Sequence, residues 1–168
     1  MKYVKCGAGV CSLRTAEGCR DTDVVIPDSV TTIERSAFKQ SNITEITIPD
    51  NVKTIGEKAF EFCCELTSVT IEEGVTEIGA EAFFHCDSLT SIAIGNTVKS
   101  IGNCAFWGCK LTSVDIPNSV TSIGEWSFAF CDSLTSITLG NNITSIGHEA
   151  FTMCKSLISI NIPNSVIS

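Results

Sequence analysis

Apolar residues recur along this chain at fixed places in a unit of 22 or 23 residues. Six units begin at Ile26, Ile48, Ile71, Ile94, Ile116 and Leu139, and a seventh begins at Ile162 and stops at Ser168. The fifth position holds Val30, Val52, Val75, Val98, Val120, Ile143 and Val166, and the eighth holds Ile33, Ile55, Ile78, Ile101, Ile123 and Ile146. The thirteenth is phenylalanine in every complete unit: Phe38, Phe60, Phe83, Phe106, Phe128 and Phe151. A small residue precedes it each time, alanine in five units and Ser127 in the other. Internal periodicity of this strength outranks any local reading.

Within a unit the pattern changes character. Leu66 to Ile71, "LTSVTI", alternates apolar and hydroxyl residues, which predicts a short strand with Val69 and Ile71 turned inward. Val75 to Ile78, "VTEI", predicts a second extended piece on the opposite side. Gly79 to Cys86, "GAEAFFHC", predicts one or two helical turns. A unit this small cannot hide its own apolar face, so copies must stack. Residues 26–168 are therefore expected to form one solenoid, with its last unit incomplete, and residues 1–25 an N-terminal cap. The units starting at Ile26 and Ile94 each lack one residue just before Ile43 and Leu111, which places the deletion in a loop.

The strand segment resembles the L-x-x-L-x-L of leucine-rich repeats, matched by Leu66, Val69 and Ile71 and then by Leu89, Ile92 and Ile94. With "IPDSVTTI", "IGEKAF" and a cysteine three residues after the phenylalanine, the unit resembles the BspA-type, or Treponema-type, leucine-rich repeat. That resemblance implies an α/β fold: a right-handed solenoid of about six units with a parallel β-sheet on its concave face. Here the asparagine of commoner leucine-rich repeats is replaced by Ser29, Asn51, Gly74, Thr97, Ser119, Asn142 and Ser165. Serine, threonine or backbone bonds must then satisfy that turn.

Cysteine occupies the sixteenth position as Cys63, Cys86, Cys109, Cys131 and Cys154, with Ser41 in the first unit. Stacked strands lie about 4.8 Å apart, so these side chains should form a column, read here as a structural ladder of small buried residues. A straight column does not converge on a metal, and in-register thiols run parallel instead of meeting in disulfides. Cys6, Cys11 and Cys19 crowd the expected cap. A capping disulfide among them is one reading; reduced thiols follow from the weak N-terminal apolar stretch, which is no convincing secretory leader. The compartment stays open, since the resemblance implies a cell-surface or secreted protein while the lack of a clear leader and the free-looking thiols point to the cytoplasm.

Composition narrows the function classes. A formal charge of −8 repels a phosphate backbone, which argues against nucleic acid. No apolar run reaches the roughly 18–20 residues of a membrane-spanning helix, so membrane insertion is not expected. Phosphate loops, zinc-spaced cysteine pairs and nucleophile elbows are missing, so no catalytic residue, metal ligand or cofactor is assigned. His85 beside Cys86 is read as coincidence, because neighbouring side chains there point in different directions.

What remains is surface. Outward strand positions form a hydroxyl-rich strip: Glu45, Thr47, Ser68, Thr70, Glu72, Ser91, Ser113, Asp115, Ser136, Thr138, Ser159 and Asn161. Phe84 and Trp107 at position fourteen, with Trp126, form a candidate aromatic edge; Phe62 and Phe130 sit at position fifteen. Solenoid surfaces commonly bind partners, and exposed aromatic groups are favoured in contact sites; a merely soluble strip and packing between coils are the alternatives. The expectation is a non-enzymatic module binding a protein partner. The resemblance implies adhesion at a microbial surface, and the alternative is a spacer or end-to-end self-associating segment.

Overall fold

The computed structural model of the chain describes residues 2–3, 11–13 and 24–168. Among the described residues, fourteen short strands alternate between two sides of a coil. On one side lie β1 (Lys2–Tyr3), β3 (Val24–Val25), β5 (Glu45–Ile48), β7 (Ser68–Ile71), β9 (Ser91–Ile94), β11 (Ser113–Asp115) and β13 (Ser136–Thr138). On the other lie β2 (Cys11–Leu13), β4 (Val30–Ile33), β6 (Thr54–Ile55), β8 (Glu77–Ile78), β10 (Ser100–Ile101), β12 (Ser122–Ile123) and β14 (Ser145–Ile146). Every pairing is parallel, and those within the repeat join equivalent residues of successive units, as in Val69↔Ile92 and Ile78↔Ile101, whereas β2 meets β4 with a register shift between Cys11 and Ser12. The chain is a parallel-strand solenoid. Strands β1 and β2, within the segment expected to be a cap, pair with β3 and β4 and so extend both ladders. Cys6 and Cys19 lie outside the described residues, as does the Cys11 side chain, and with them the proposed capping disulfide.

The two ladders differ in continuity. The even-numbered strands form one unbroken seven-stranded sheet. The odd-numbered ladder is interrupted twice, between β3 and β5 and between β9 and β11. Each interruption falls across one of the 22-residue units, 26–47 and 94–115. The missing residue lies in the loop that feeds β5 or β11, so those strands start from a tighter corner than their neighbours. The strip also ends earlier than its pattern predicts, since no strand forms at Ser159 or Asn161.

The third side of the coil corrects the expectation of helical turns: no helix occurs among the described residues. Alternate residues there bond in two directions. Ala37 N donates to Glu34 O, Lys39 N to Ser36 O and Ser41 N to Phe38 O, each within its own coil. The residues between them, Ser36, Phe38 and Gln40, donate to Glu57, Ala59 and Glu61 of the next coil. Positions eleven and fifteen reach that partner with a left-handed backbone, as at Glu81 (φ 54°) and His85 (φ 54°). The physical reason is spacing. Core rings repeat every 4.9 to 5.2 Å from Phe38 to Phe128, whereas a helix with side chains is about 10–12 Å wide. Coils this close leave room for a flat turn only, and its outward N–H groups are satisfied by the next coil.

The core is a set of columns. Phe38, Phe60, Phe83, Phe106 and Phe128 are fully buried and stack face to face. Phe151 continues the spine at 5.6 Å from Phe128 but is only partly covered. Around the spine run the buried Val30, Val52, Val75, Val98 and Val120 and the Ile33 to Ile123 column. Each coil thus shields its neighbour's apolar face. The asparagine substitutes bond unequally: Asn51 Nδ2 donates to Val30 O, Thr97 Oγ1 to Val75 O (2.9 Å) and Asn142 Nδ2 to Asn118 O (2.8 Å). The hydroxyls of Ser119 and Ser165 find no partner, so serine does not do the work expected of it there.

Candidate functional site

The odd-numbered ladder presents the hydroxyl-rich strip. Glu45, Thr47, Thr70, Glu72, Ser91, Ser113, Asp115, Ser136, Thr138, Ser159 and Asn161 are exposed, and Ser68 is half-buried. Beside the strip runs a threonine column that the sequence reading did not single out. Thr67 Oγ1 donates to Thr44 O (2.9 Å), Thr90 to Thr67 O (3.3 Å) and Thr135 to Thr112 O (2.9 Å). These hydroxyls already bond to the preceding coil, which leaves the strand residues proper as the free polar groups of this face.

The thiol column runs inside the turns. Cys63 Sγ donates to Phe38 O (3.0 Å), Cys86 to Phe60 O (3.1 Å) and Cys109 to Phe83 O (3.2 Å). Cys131 and Cys154 repeat the contact with Phe106 O and Phe128 O. Ser41, which starts the column, lies 3.3 Å from Cys63 Sγ. Each thiol thus gives a turn carbonyl a second donor, and all five cysteines are free. Burial pushes the Cys63 thiol up to about 12, and it raises Cys109 and Cys131 strongly as well. Thiolate is the reactive form, so iodoacetamide at pH 8 is expected to label exposed Cys64 and leave Cys63, Cys109 and Cys131 intact until denaturant is added. Peptide mapping by mass spectrometry checks this; labelling of Cys109 in the folded protein at the rate of Cys64 would refute the column. Because these folded-state values lie above the unfolded one, the stability they carry is full below pH 9. It is lost as pH rises from there toward 12.

The aromatic residues divide into an array and an outlier. Phe84 and Trp107 stack with centroids 5.0 Å apart, and Trp107 meets Phe130 at 4.7 Å. His85 bridges the group, 5.3 Å from Phe62, 4.8 Å from Phe84 and 4.6 Å from Trp107. Four coils therefore contribute Phe62, Phe84, His85, Trp107 and Phe130 to one flank, with Phe62 at 37% and Phe130 at 39% exposure. Position fifteen alternates with position fourteen in building it, which the scattered columns of the sequence concealed. Gly108 makes the meeting possible: it is the one glycine at position fifteen (φ 75°), and a Cβ there would lie 3.3 Å from His85 Nδ1. Trp126 stands apart, its Nε1 donating to Glu149 Oε2 (3.0 Å).

The neighbouring His85 and Cys86 serve different partners. The imidazole Nδ1 lies 3.1 Å from Asp87 Oδ1, while the Cys86 thiol turns inward to Phe60 O. Among the described residues no group of three or more histidine, cysteine or acidic side chains gathers to hold a metal.

Comparison with known proteins places this architecture. The family model described as "BspA type Leucine rich repeat region" matches residues 16–76 and 54–168, in six copies. A leucine-rich cell surface protein from Faecalibacterium prausnitzii is 26% identical at a TM-score of 0.56, over 94% of this chain and 58% of that one. The pneumococcal vaccine antigen PcpA shares the fold at a TM-score of 0.59 and 18% identity, over 98% of this chain and 56% of its own. A leucine-rich repeat protein from Eubacterium ventriosum is 26% identical at 0.53, over 86% of this chain and 34% of that one. The chain thus spans little more than half the length of the first two and a third of the last. No curated protein matches it. With six repeats, two parallel ladders and one phenylalanine spine, the chain belongs to the BspA-type leucine-rich repeat family.

Proposed function

We propose that the chain is a non-enzymatic protein-interaction module whose aromatic flank is the principal contact surface. The observation that carries this reading is the five-residue array of Phe62, Phe84, His85, Trp107 and Phe130. The core already has its own phenylalanine spine, so the flank adds apolar area at the surface that the coil does not need for closure. Rigid aromatic groups in a contiguous patch are the residues on which contact energy concentrates. Adhesion to a macromolecule at a cell surface is the finer form of the proposal, and the cell surface protein of F. prausnitzii supports it. A second reading, end-to-end self-association, draws on the parallel ladders, whose strands pair with equivalent residues of the next coil and would pair with those of a second copy in the same way.

One experiment separates the two. Immobilised protein and its Phe130→Glu variant are exposed to a mixture of extracellular matrix proteins, and free protein is sedimented at several concentrations. The interaction reading expects at least tenfold less capture by the variant, with its unfolding midpoint little changed because Phe130 is exposed. Equal capture by both proteins, or none by either, removes the flank. Mass that rises with protein concentration supports assembly instead.

A further inference from the structure

The aromatic flank does not run alone. The residue after each ladder cysteine, at position seventeen, lies beside it: Asp87 Oδ1 is 3.1 Å from His85 Nδ1, and Asp132 N donates to Phe130 O (2.9 Å). Over four successive coils this position holds Asp87, Lys110, Asp132 and Lys155, so its charge alternates in sign along the coil axis. Asp87, Lys110 and Lys155 are exposed and Asp132 is half-buried. Lys155 Nζ reaches Asp132 Oδ2 of the preceding coil at 2.9 Å. Met153, 50% exposed, continues position fifteen past Phe130. The flank is thus two rows side by side, one apolar and one of alternating charge.

An alternating row has a symmetry that a uniform one lacks. A two-fold axis lying across the flank, between the coils of Lys110 and Asp132, turns a second copy antiparallel and sets its flank against the first. Lys110 then faces the partner's Asp132 and Asp87 faces the partner's Lys155, so all four charges meet the opposite sign. The same rotation lays apolar row on apolar row, with Trp107 against the partner's Phe130 and His85 against the partner's Met153. A parallel arrangement would lay the charges of one copy on the rings of the other. Exposed ion pairs along one coil contribute little to stability, so the alternation has its larger effect where a second surface excludes water.

We propose that the aromatic flank is the interface of an antiparallel homodimer, in which a second copy of this chain is related to the first by that two-fold axis. The inference rests on the reading of the flank as the principal contact surface and names a partner for it. The rings supply the apolar centre of the interface. The charged row fixes direction and register, because a slip of one coil sets Lys110 against the partner's Lys110 and Asp87 against the partner's Asp132.

Sedimentation equilibrium is run into the upper micromolar range, because a flank this narrow makes a weak dimer. The mass is expected to level off at twice that of the chain. Lys110→Glu and Asp132→Lys should each weaken association at least tenfold, since each sets two like-charged pairs across the axis. Mixed in equal amounts the two variants should associate again, because every facing pair in the heterodimer is of opposite sign. Ion pairing within one chain cannot produce that rescue. Asp87→Lys mixed with Lys155→Glu repeats the test at the outer pair, and melting confirms that each variant is folded. Phe130→Glu should also weaken association at least tenfold, whereas Lys99→Glu, at an exposed site before β10, should leave it within twofold. A parent that stays monomeric overturns the proposal, as do variants that remain apart on mixing. So does mass that climbs past the dimer regardless of Phe130→Glu, the mark of end-to-end growth. Matrix capture is read on sparsely immobilised protein, so Phe130-dependent capture by a monomeric chain keeps the contact surface and removes the dimer alone. A dimer that captures nothing removes the matrix partner and keeps the dimer.

Discussion

Replacing Phe106 with alanine is expected to cost about 3–5 kcal/mol of stability, the range for removing a large buried aromatic side chain. The ring is fully buried, 5.2 Å from Phe83 and 5.1 Å from Phe128, with interplanar angles of 4° and 15°. No side chain can refill the gap without leaving its own column, because every neighbour repeats in register above and below. The lesion also sits mid-stack, and in a solenoid each unit is held only by its neighbours. The two halves should therefore lose their coupling, and urea unfolding should broaden from one transition towards two. Phe151→Ala is the internal comparison: that ring has one stacked neighbour and is partly exposed, so its loss should be clearly smaller. Equal losses for the two variants, or a loss below about 1 kcal/mol for Phe106→Ala, would contradict a load shared along the spine.

Substituting Gly102 is expected to be nearly as damaging, for the opposite reason. A Cβ at Gly102 would lie 2.5 Å from Ala80 N and 2.7 Å from Gly79 C, both main-chain atoms of the preceding coil. Backbone cannot rotate aside as a side-chain tip can, so the coils must part. Overpacking of a well-packed interior typically costs about 1–3 kcal/mol, and contact with backbone puts Gly102→Ala at the upper end. Valine should be worse than alanine. Gly56, Gly79, Gly124 and Gly147 occupy the same column with equally close approaches, whereas the first unit carries Glu34 there. Urea midpoints of Gly102→Ala and Gly102→Val measure the effect. A Gly102→Ala protein within about 0.5 kcal/mol of the parent, the usual range for harmless surface changes, would mean that the coils are not in contact at this corner.

These residues also mark where sequence reasoning was strong and where it ran short. The phenylalanine, valine and isoleucine columns were legible because an inward position must be apolar in every coil. Six copies turn that requirement into a repeat visible without coordinates. The outward strip was legible for the complementary reason, that strand side chains alternate with period two. Glycine at position nine is visible too, but along the sequence it reads as the start of a helical turn. Its purpose lies in the gap to a residue 22 or 23 positions earlier, and nothing local signals that distance. Phe62, His85 and Phe130 were scattered over different partners in sequence. Their convergence with Phe84 and Trp107 depends on left-handed turns and on the space beside Gly108.

By itself, then, the amino-acid order determined the family, the period, the inward columns and the loop where two units fall one residue short. Tertiary structure alone decided that flat turns replace helices, that the strip's ladder is interrupted beside β5, and that one flank gathers the aromatic rings. The division has a physical cause. Burial acts on each residue separately and is written into every copy, whereas the roughly 5 Å approach of one coil to the next is a property of the stack and of no single unit.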